Sequence, residues 1–261
     1  MKRPGYEERI GRYSRPLADA FLEVLDLPAG ARVLDVGCGS GALTMQLAER
    51  LGPDNVAGLD PDAGDLALCA SRVPGAELRQ GVADDLPWDD DAMDAVVSQL
   101  VVGLVPDAPA ALDEMTRVCR PGGVVAGCVW DFGAGMTVLR AFWDAALAVD
   151  PGAAAYDQAS AQRYTTREEI GALWEAGGLE RVTTGALEVS ADYRDADDLW
   201  LPLAAPDGGP GRYLATVDAA RQEQVRELLL RNLGDPQGPF RLSARAWYAK
   251  GQVAPVTRAA D

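Results

Sequence analysis

Residues 33–44 read VLDVGCGSGALT, an apolar run that ends in an aspartate and passes through three alternating glycines, Gly37, Gly39 and Gly41. The run predicts a buried strand, and the amphipathic ALTMQLAERLG that follows predicts a helix stopped at Gly52-Pro53. Glycine reaches backbone angles closed to other residues and lets a ligand approach the main chain. A helix entered from such a turn presents bare N–H groups and the positive end of its dipole. Strand, glycine turn and helix in that order leave few folds open.

The alternation continues along the chain. NVAGLD is a second strand and residues 62–72 a second helix; AELRQG and DAVVSQLVV are strands three and four. Residues 107–119 form a helix with Asp107 as N-cap and Pro109 in its first turn. Arg120-Pro121-Gly122-Gly123 reads as a tight turn into strand five, VVAGCVWD. Strands alternating with helices of this length predict a parallel sheet with right-handed crossovers. A helix over 16–27 precedes the first strand. Thr165 with Glu168 reads as a capping box for a helix to Ala176. LERVTTGALEVSADY predicts strand six, and RLSARAWYAKG a last strand antiparallel to it. Between them come a short helix around Trp200, a Pro/Gly loop at 205–212 and an amphipathic helix near 217–233. The expected fold is α/β, a single Rossmann-like domain over residues 1–261 with a doubly wound seven-stranded sheet and an antiparallel last strand. A helical cap is expected from residues 132–164 and 195–238.

Composition narrows the partners. With 24 Lys+Arg against 40 Asp+Glu, the net charge is −16, which argues against nucleic acid. The absence of histidine removes a His general base and a His-dependent metal site, and no metal is expected. Cys38, Cys69, Cys119 and Cys128 sit in apolar stretches without CxxC spacing, as free thiols in a reducing compartment would. MKRPGYEERI lacks the apolar core of a leader, and VVSQLVVGLV is too short and too polar to span a membrane. A cytoplasmic protein that does not bind membranes is expected.

Gly37, Gly39 and Ala42 also fit the dinucleotide pattern GxGxxG/A, so two cofactor classes compete for the loop. Asp35, two residues before Gly37, separates them. A carboxylate at the mouth of the strand repels a pyrophosphate and attracts a cation, and S-adenosylmethionine carries an ammonium and a sulfonium but no phosphate. Asp60, about twenty residues after the loop, suits the hydroxyls of a ribose in either class. It reads equally as a helix N-cap before Pro61.

VLDVGCGSGALT, GLDPD, the LPW after strand three, DAVVSQLVVGLVPD, RVCRPGG and the following VWD together resemble the class I S-adenosylmethionine-dependent methyltransferases. The likeness is strongest to the small-molecule branch of ubiquinone/menaquinone type, with GRYSR and SARAWYAKG resembling that branch's first segment and last strand. The resemblance implies that Asp35 and the Gly37–Cys38–Gly39–Gly41 loop hold the methionine end of the cofactor. It implies that Asp60 holds the ribose, that Pro61 and Asp62 pack beside the adenine, and that the Ala83 N–H meets the ring. Ser98, Gln99 and Leu100 would lie beside the transferable methyl, with Tyr13 and Arg15 closing over the methionine. The branch usually reads Gly-Asp-Ala after strand three; here Gly81-Val82-Ala83-Asp84 leaves Asp84 as the substitute acceptor, and a lost contact there costs about 1–2 kcal/mol.

Displacement at a sulfonium carbon requires alignment, and a base only when the acceptor must lose a proton. No base stands out. Asp131, at the end of strand five, and, more weakly, Tyr156 are the candidates, and Asp131 reads more readily as a turn-former before Phe132-Gly133. Trp130, Trp143 and Trp200, with Phe142, Tyr156 and Tyr193, fall in or beside the cap segments and would line a pocket for an apolar or planar small molecule, or glue the cap to the sheet. The expected activity is methyl transfer from S-adenosylmethionine, released as S-adenosylhomocysteine, to O, N or C of such a molecule. The alternatives are an NAD(P)-dependent oxidoreductase and a cofactor-binding cyclase or regulator without methyl transfer.

Overall fold

The computed structural model describes residues 10–206 and 208–255; the expectation about a leader rests on residues 1–10 and falls almost wholly outside them. Among the described residues are seven strands: β1 (Val33–Val36), β2 (Val56–Asp60), β3 (Glu77–Gln80), β4 (Met93–Gln99), β5 (Cys119–Trp130), β6 (Glu180–Tyr193) and β7 (Phe240–Gln252). They form one sheet in the order β3-β2-β1-β4-β5-β7-β6. β1 to β5 pair parallel, and β7 pairs antiparallel with both β5 and β6. Six strands therefore point one way and one the other, as the sequence pattern predicts. The chain steps outward from β1 to β3 and then returns to β4 on the other side of β1. At such a reversal, crossovers leave by opposite faces and open a crevice at the carboxyl ends of the strands.

Helices cover both faces. α1 (Ser14–Leu25) follows a 3-10 turn at Gly11–Tyr13, α2 (Ala42–Leu51) follows β1, and α3 (Ala63–Arg72) follows β2. α4 (Ala108–Val118) joins β4 to β5, and α5 (Thr137–Val149), a short α6 (Gln158–Ala161) and α7 (Arg167–Ala176) lie between β5 and β6. α8 (Ala196–Ala204), α9 (Gly209–Leu214) and α10 (Ala219–Asn232) separate β6 from β7. On one face, Leu17, Phe21 and Leu25 of α1 and Leu43 and Leu47 of α2 pack with Val33, Val97 and Ala126 of the strands. Phe142 and Trp143 of α5, Leu199 of α8, Tyr213 of α9 and Leu229 of α10 belong to that same apolar cluster. The opposite face is closed by Leu112 and Met115 of α4 and Ile170 and Trp174 of α7, packed on Leu34, Val96 and Val125. The Trp174 indole is anchored there by a 3.0 Å bond from Nε1 to the Val125 carbonyl.

Local structure departs from the sequence expectations in four places. The capping box is Thr166 with Glu169, one residue later than read, each side chain bonding the other's backbone N–H. Arg120-Pro121-Gly122-Gly123 lies inside β5, at a shift in register against β4, with Gly122 at φ +75°. An irregularity absorbed within a strand looks like a turn in sequence because it needs the same residues. The Pro/Gly stretch at 205–212 contains the start of α9, where Pro210 fills the first turn that lacks N–H partners. The cap of α3 is Asp62, which accepts from the Gly64 and Asp65 N–H groups, and not Asp60.

Candidate cofactor and acceptor site

Asp35 is the one polar residue of β1, whose other positions are apolar and buried on both faces; it is 1 % exposed. Oδ2 accepts a 2.7 Å hydrogen bond from the Thr44 hydroxyl in the first turn of α2, and Oδ1 has no partner among the described residues. Burial pushes the Asp35 pKa up to about 7, opposed by the Thr44 bond and assisted by the charge of Asp60. An orphaned buried carboxylate oxygen is expensive unless a cation or donor meets it.

The glycine loop differs in one respect from expectation. Its N–H groups are turned inward: Gly37 and Cys38 both donate to the Leu59 carbonyl (2.7 and 3.0 Å), Gly41 donates to Cys38, and Gly39 donates to Asp60 Oδ2 at 2.9 Å. The glycines serve backbone geometry and close approach. Gly37, Gly39 and Gly41 have φ of +76°, +51° and +94°. A Cβ at Gly37 would collide with the Val101 side chain, and one at Gly41 would sit 2.9 Å from Cys69 Sγ, whereas Gly39 faces open space. Main chain is therefore accessible at Gly39, beside Asp60. Asp60 accepts from Gly39 through Oδ2 and from Asp62 N–H through Oδ1 at 2.9 Å. Each carboxylate oxygen keeps a further lone pair for a hydroxyl donor.

The other expected cofactor residues divide. Gln99 is 9 % exposed at the end of β4; its Nε2 donates to the Ser14 carbonyl at 3.0 Å, and its Oε1 has no partner among the described residues. Strand alternation and the parallel register place Asp35 and Gln99 on the same face, the one covered by α1. Ser98 Oγ, equally buried and unpartnered, lies on the other face. Ala83 is buried, while Val82, Asp84 and Pro61 are exposed beyond the ends of β2 and β3. Tyr13 is fully buried; its hydroxyl meets that of Tyr193 at 3.0 Å, and its ring stands edge-on to Trp130 at 6.2 Å. Arg15 is exposed and borders a different cleft with Met45, Glu49 and Pro53, so Tyr13 and Arg15 are not brought together.

Trp130 closes β5. It is 4 % exposed, and its Nε1 has no partner among the described residues. It lines a cleft of about 140 Å³ with Leu100, Val129, Phe132, Gln158 and Arg163. Leu100 takes φ +66°, a left-handed conformation that costs a non-glycine residue about 1–2 kcal/mol and aims Val101 at Gly37. Trp143 lies outside that lining, buried and donating from Nε1 to Gln158 Oε1 at 2.8 Å. Trp200 is half-buried against Phe142 at 6.4 Å, in the packing of the cap helices. Tyr156 meets Tyr213 at a tilt, ring centroids 5.9 Å apart, also outside the cleft lining. Asp131 takes the turn-forming role: Oδ1 accepts from the Ala134 N–H at 2.9 Å, and Oδ2 accepts from Arg245 Nε and Nη2 at 2.9 and 2.7 Å. Sequence reasoning missed Ser14, Thr44, Val101 and Arg245. Thr44 carried a signal, a hydroxyl in the first helical turn after an inward-facing acid; Arg245, 114 residues from its partner, carried none.

No group of three or more His, Cys, Asp or Glu side chains among the described residues is arranged to hold a metal ion. No helix among them is long and apolar enough to cross a membrane.

Residues 34–127 match the family described as "Methyltransferase domain". The chain is 37% identical over 118 residues to the fatty-acid O-methyltransferase of Mycolicibacterium smegmatis, covering 44% of this chain and 43% of that protein. It is 38% identical over 110 residues to the demethylmenaquinone methyltransferase of Bacillus mycoides, covering 40% and 46% respectively. The matches thus span less than half the length of these curated relatives. Among solved structures, the YcgJ protein of Bacillus subtilis superposes with a TM-score of 0.55 at 16% identity, over 92% of this chain and 98% of that one. That likeness is one of fold, and at 92% of this chain it extends beyond residues 34–127.

Proposed function

We propose that this chain, similar to methyltransferases over residues 34–127, binds S-adenosylmethionine at the carboxyl ends of β1 and β2 and transfers its methyl group to a small molecule in the neighbouring cleft. The observation that carries this reading is the buried, half-partnered Asp35 beside an equally half-partnered Gln99. Two orphaned acceptors on one face suit an ammonium, which has donors and no acceptors. The residues present fit the cofactor: Asp35 and Gln99 for the ammonium, Gly39 for close main-chain approach, Asp60 for the ribose hydroxyls, and Ala83 with Asp84 and Pro61 bordering the adenine. When bound, the sulfonium supplies an activated methyl carbon.

The chain's own residues contribute position more than acid–base chemistry. Ser14 fixes Gln99 through its carbonyl, and Thr44 fixes Asp35, so both acceptors are held before the ligand arrives. Leu100, Val129 and Trp130 wall the acceptor cleft and present an apolar surface to the acceptor. The relatives named above act, by their names, on fatty acids and on demethylmenaquinone, which favours an apolar acceptor here. In keeping with the net charge of −16, nucleic acid is not proposed as a partner. A cytoplasmic location belongs to the same proposal.

Asp35 also counts against the dinucleotide reading, because its carboxylate would face a pyrophosphate in a buried setting. Calorimetric titration with S-adenosylmethionine, S-adenosylhomocysteine and NAD separates the two. Micromolar binding of the first two and none of the third is expected; the reverse pattern sinks the proposal. Release of S-adenosylhomocysteine on incubation with apolar acceptors distinguishes transfer from binding alone.

A further inference from the structure

The cleft beside the proposed cofactor site has an unusual polar inventory. Trp130 Nε1 is a buried donor that cannot accept, and it has no partner among the described residues. Arg163 is the single charged side chain lining the cleft among the described residues; one of its five N–H groups reaches the Pro106 carbonyl at 3.2 Å, and it stands at the exposed rim. No carboxylate lines the cleft among the described residues. Gln158, Gln162 and Thr165 add uncharged polar groups, of which Gln158 Oε1 is taken by Trp143 Nε1 at 2.8 Å; Ile10, Leu100, Val129 and Phe132 are apolar, and Leu104, 65 % exposed, carries that surface outward at the mouth.

Proton acceptors are equally scarce. The chain has no histidine. Asp131 is bound by Arg245 and by a backbone N–H, and Tyr156 lies outside the cleft. The Tyr13 hydroxyl is buried against that of Tyr193. An alcohol, a phenol or an ammonium must lose a proton to become a nucleophile at neutral pH, whereas a carboxylic acid is already ionised there.

We infer that the methyl acceptor is a carboxylate on an apolar body, with one of its oxygens held by the Trp130 indole N–H and its approach favoured by Arg163. This rests on the methyl-transfer reading of the same site and names its substrate class. In the step, a lone pair of the free carboxylate oxygen forms the O–CH3 bond as the C–S bond of the sulfonium breaks, its electron pair passing to sulfur. Carboxylate and sulfonium become a neutral ester and a neutral thioether, and no proton moves. The site then needs no base, in agreement with its residues.

The test uses the full chain as wild type, W130F and R163Q, titrated calorimetrically with decanoate, decanol and decylamine without cofactor. Decanoate is expected to bind about ten-fold more tightly than decanol, one charge-assisted hydrogen bond's worth, and decylamine not to saturate. W130F keeps an aromatic ring on Tyr13 and should weaken decanoate by about ten-fold while leaving decanol unchanged. R163Q, at an exposed position, should weaken decanoate by a few-fold, an effect that fades with salt. With saturating S-adenosylmethionine added, methyl decanoate should form at a rate flat between pH 6.5 and 9. Equal binding of the three probes, indifference of decanoate to W130F, or preferential methylation of the alcohol or amine would overturn the carboxylate assignment. Carboxylate selectivity without any binding of S-adenosylmethionine would instead overturn methyl transfer and leave the assignment of the cleft standing.

Discussion

Asp35 carries the most chemistry for one residue. Its buried carboxyl titrates near 7 in the folded chain and near 4 when unfolded. Between those values the native state holds a proton that the unfolded state has released, so this group's contribution to stability is full below pH 4 and is lost as pH rises through 7. Asp35→Asn should abolish that slope and raise the melting temperature of the cofactor-free protein at pH 8 above wild type. The same variant should bind S-adenosylmethionine at least ten-fold more weakly, since an amide cannot replace a charge facing an ammonium. In wild type, cofactor affinity should climb as pH rises to about 7 and then level off; melts and calorimetry across pH 5–9 read both effects. The glycines give a second contrast. Gly37→Ala meets both a left-handed φ and the Val101 side chain and should cost about 3 kcal/mol of stability in denaturant titration. Gly39→Ala meets only the φ, at about 1 kcal/mol, and should instead show its effect in cofactor binding.

At the scale of elements, the turn after β5 divides structural from chemical roles. Asp131 ties that turn to β7 through Arg245, with the carboxyl buried and the guanidinium about a third exposed. Asp131→Asn should lower stability by about 1–3 kcal/mol while methyl transfer stays within about three-fold, judged by melts and initial rates. A hundred-fold loss of rate with the fold intact would restore Asp131 as a base. The strands and long helices were legible because apolar period and glycine punctuation are local signals. The exact cap of α7, the glycines inside β5 and the helix at Gly209 were not, because Gly and Pro mark bulges, first turns and loops alike. Asp35, Asp60 and the glycine loop were legible as a set. The inward turn of the loop's N–H groups was not, since it depends on where the Leu59 carbonyl lies in the neighbouring strand.

For the molecule as a whole, 40 acidic against 24 basic side chains make self-repulsion a general burden on the compact state. Raising sodium chloride from 10 to 300 mM should increase the melting temperature of the cofactor-free chain, because screening relieves that repulsion more than it weakens the exposed ion pairs. A fall would mean that pairs such as Arg117–Glu114 and Arg241–Asp192 outweigh it.

The place of β7 between β5 and β6, both of which precede it in the chain, has a consequence for biosynthesis. The first five strands can pair as they leave the ribosome, but β6 has no neighbour in the sheet until residues 240–252 have been translated. During that interval the flank of β5 is also open, and both present unpaired backbone to other nascent chains. A message cut short before codon 240 would therefore yield an aggregating product rather than a smaller working protein, and the last strand acts as the latch that closes the sheet.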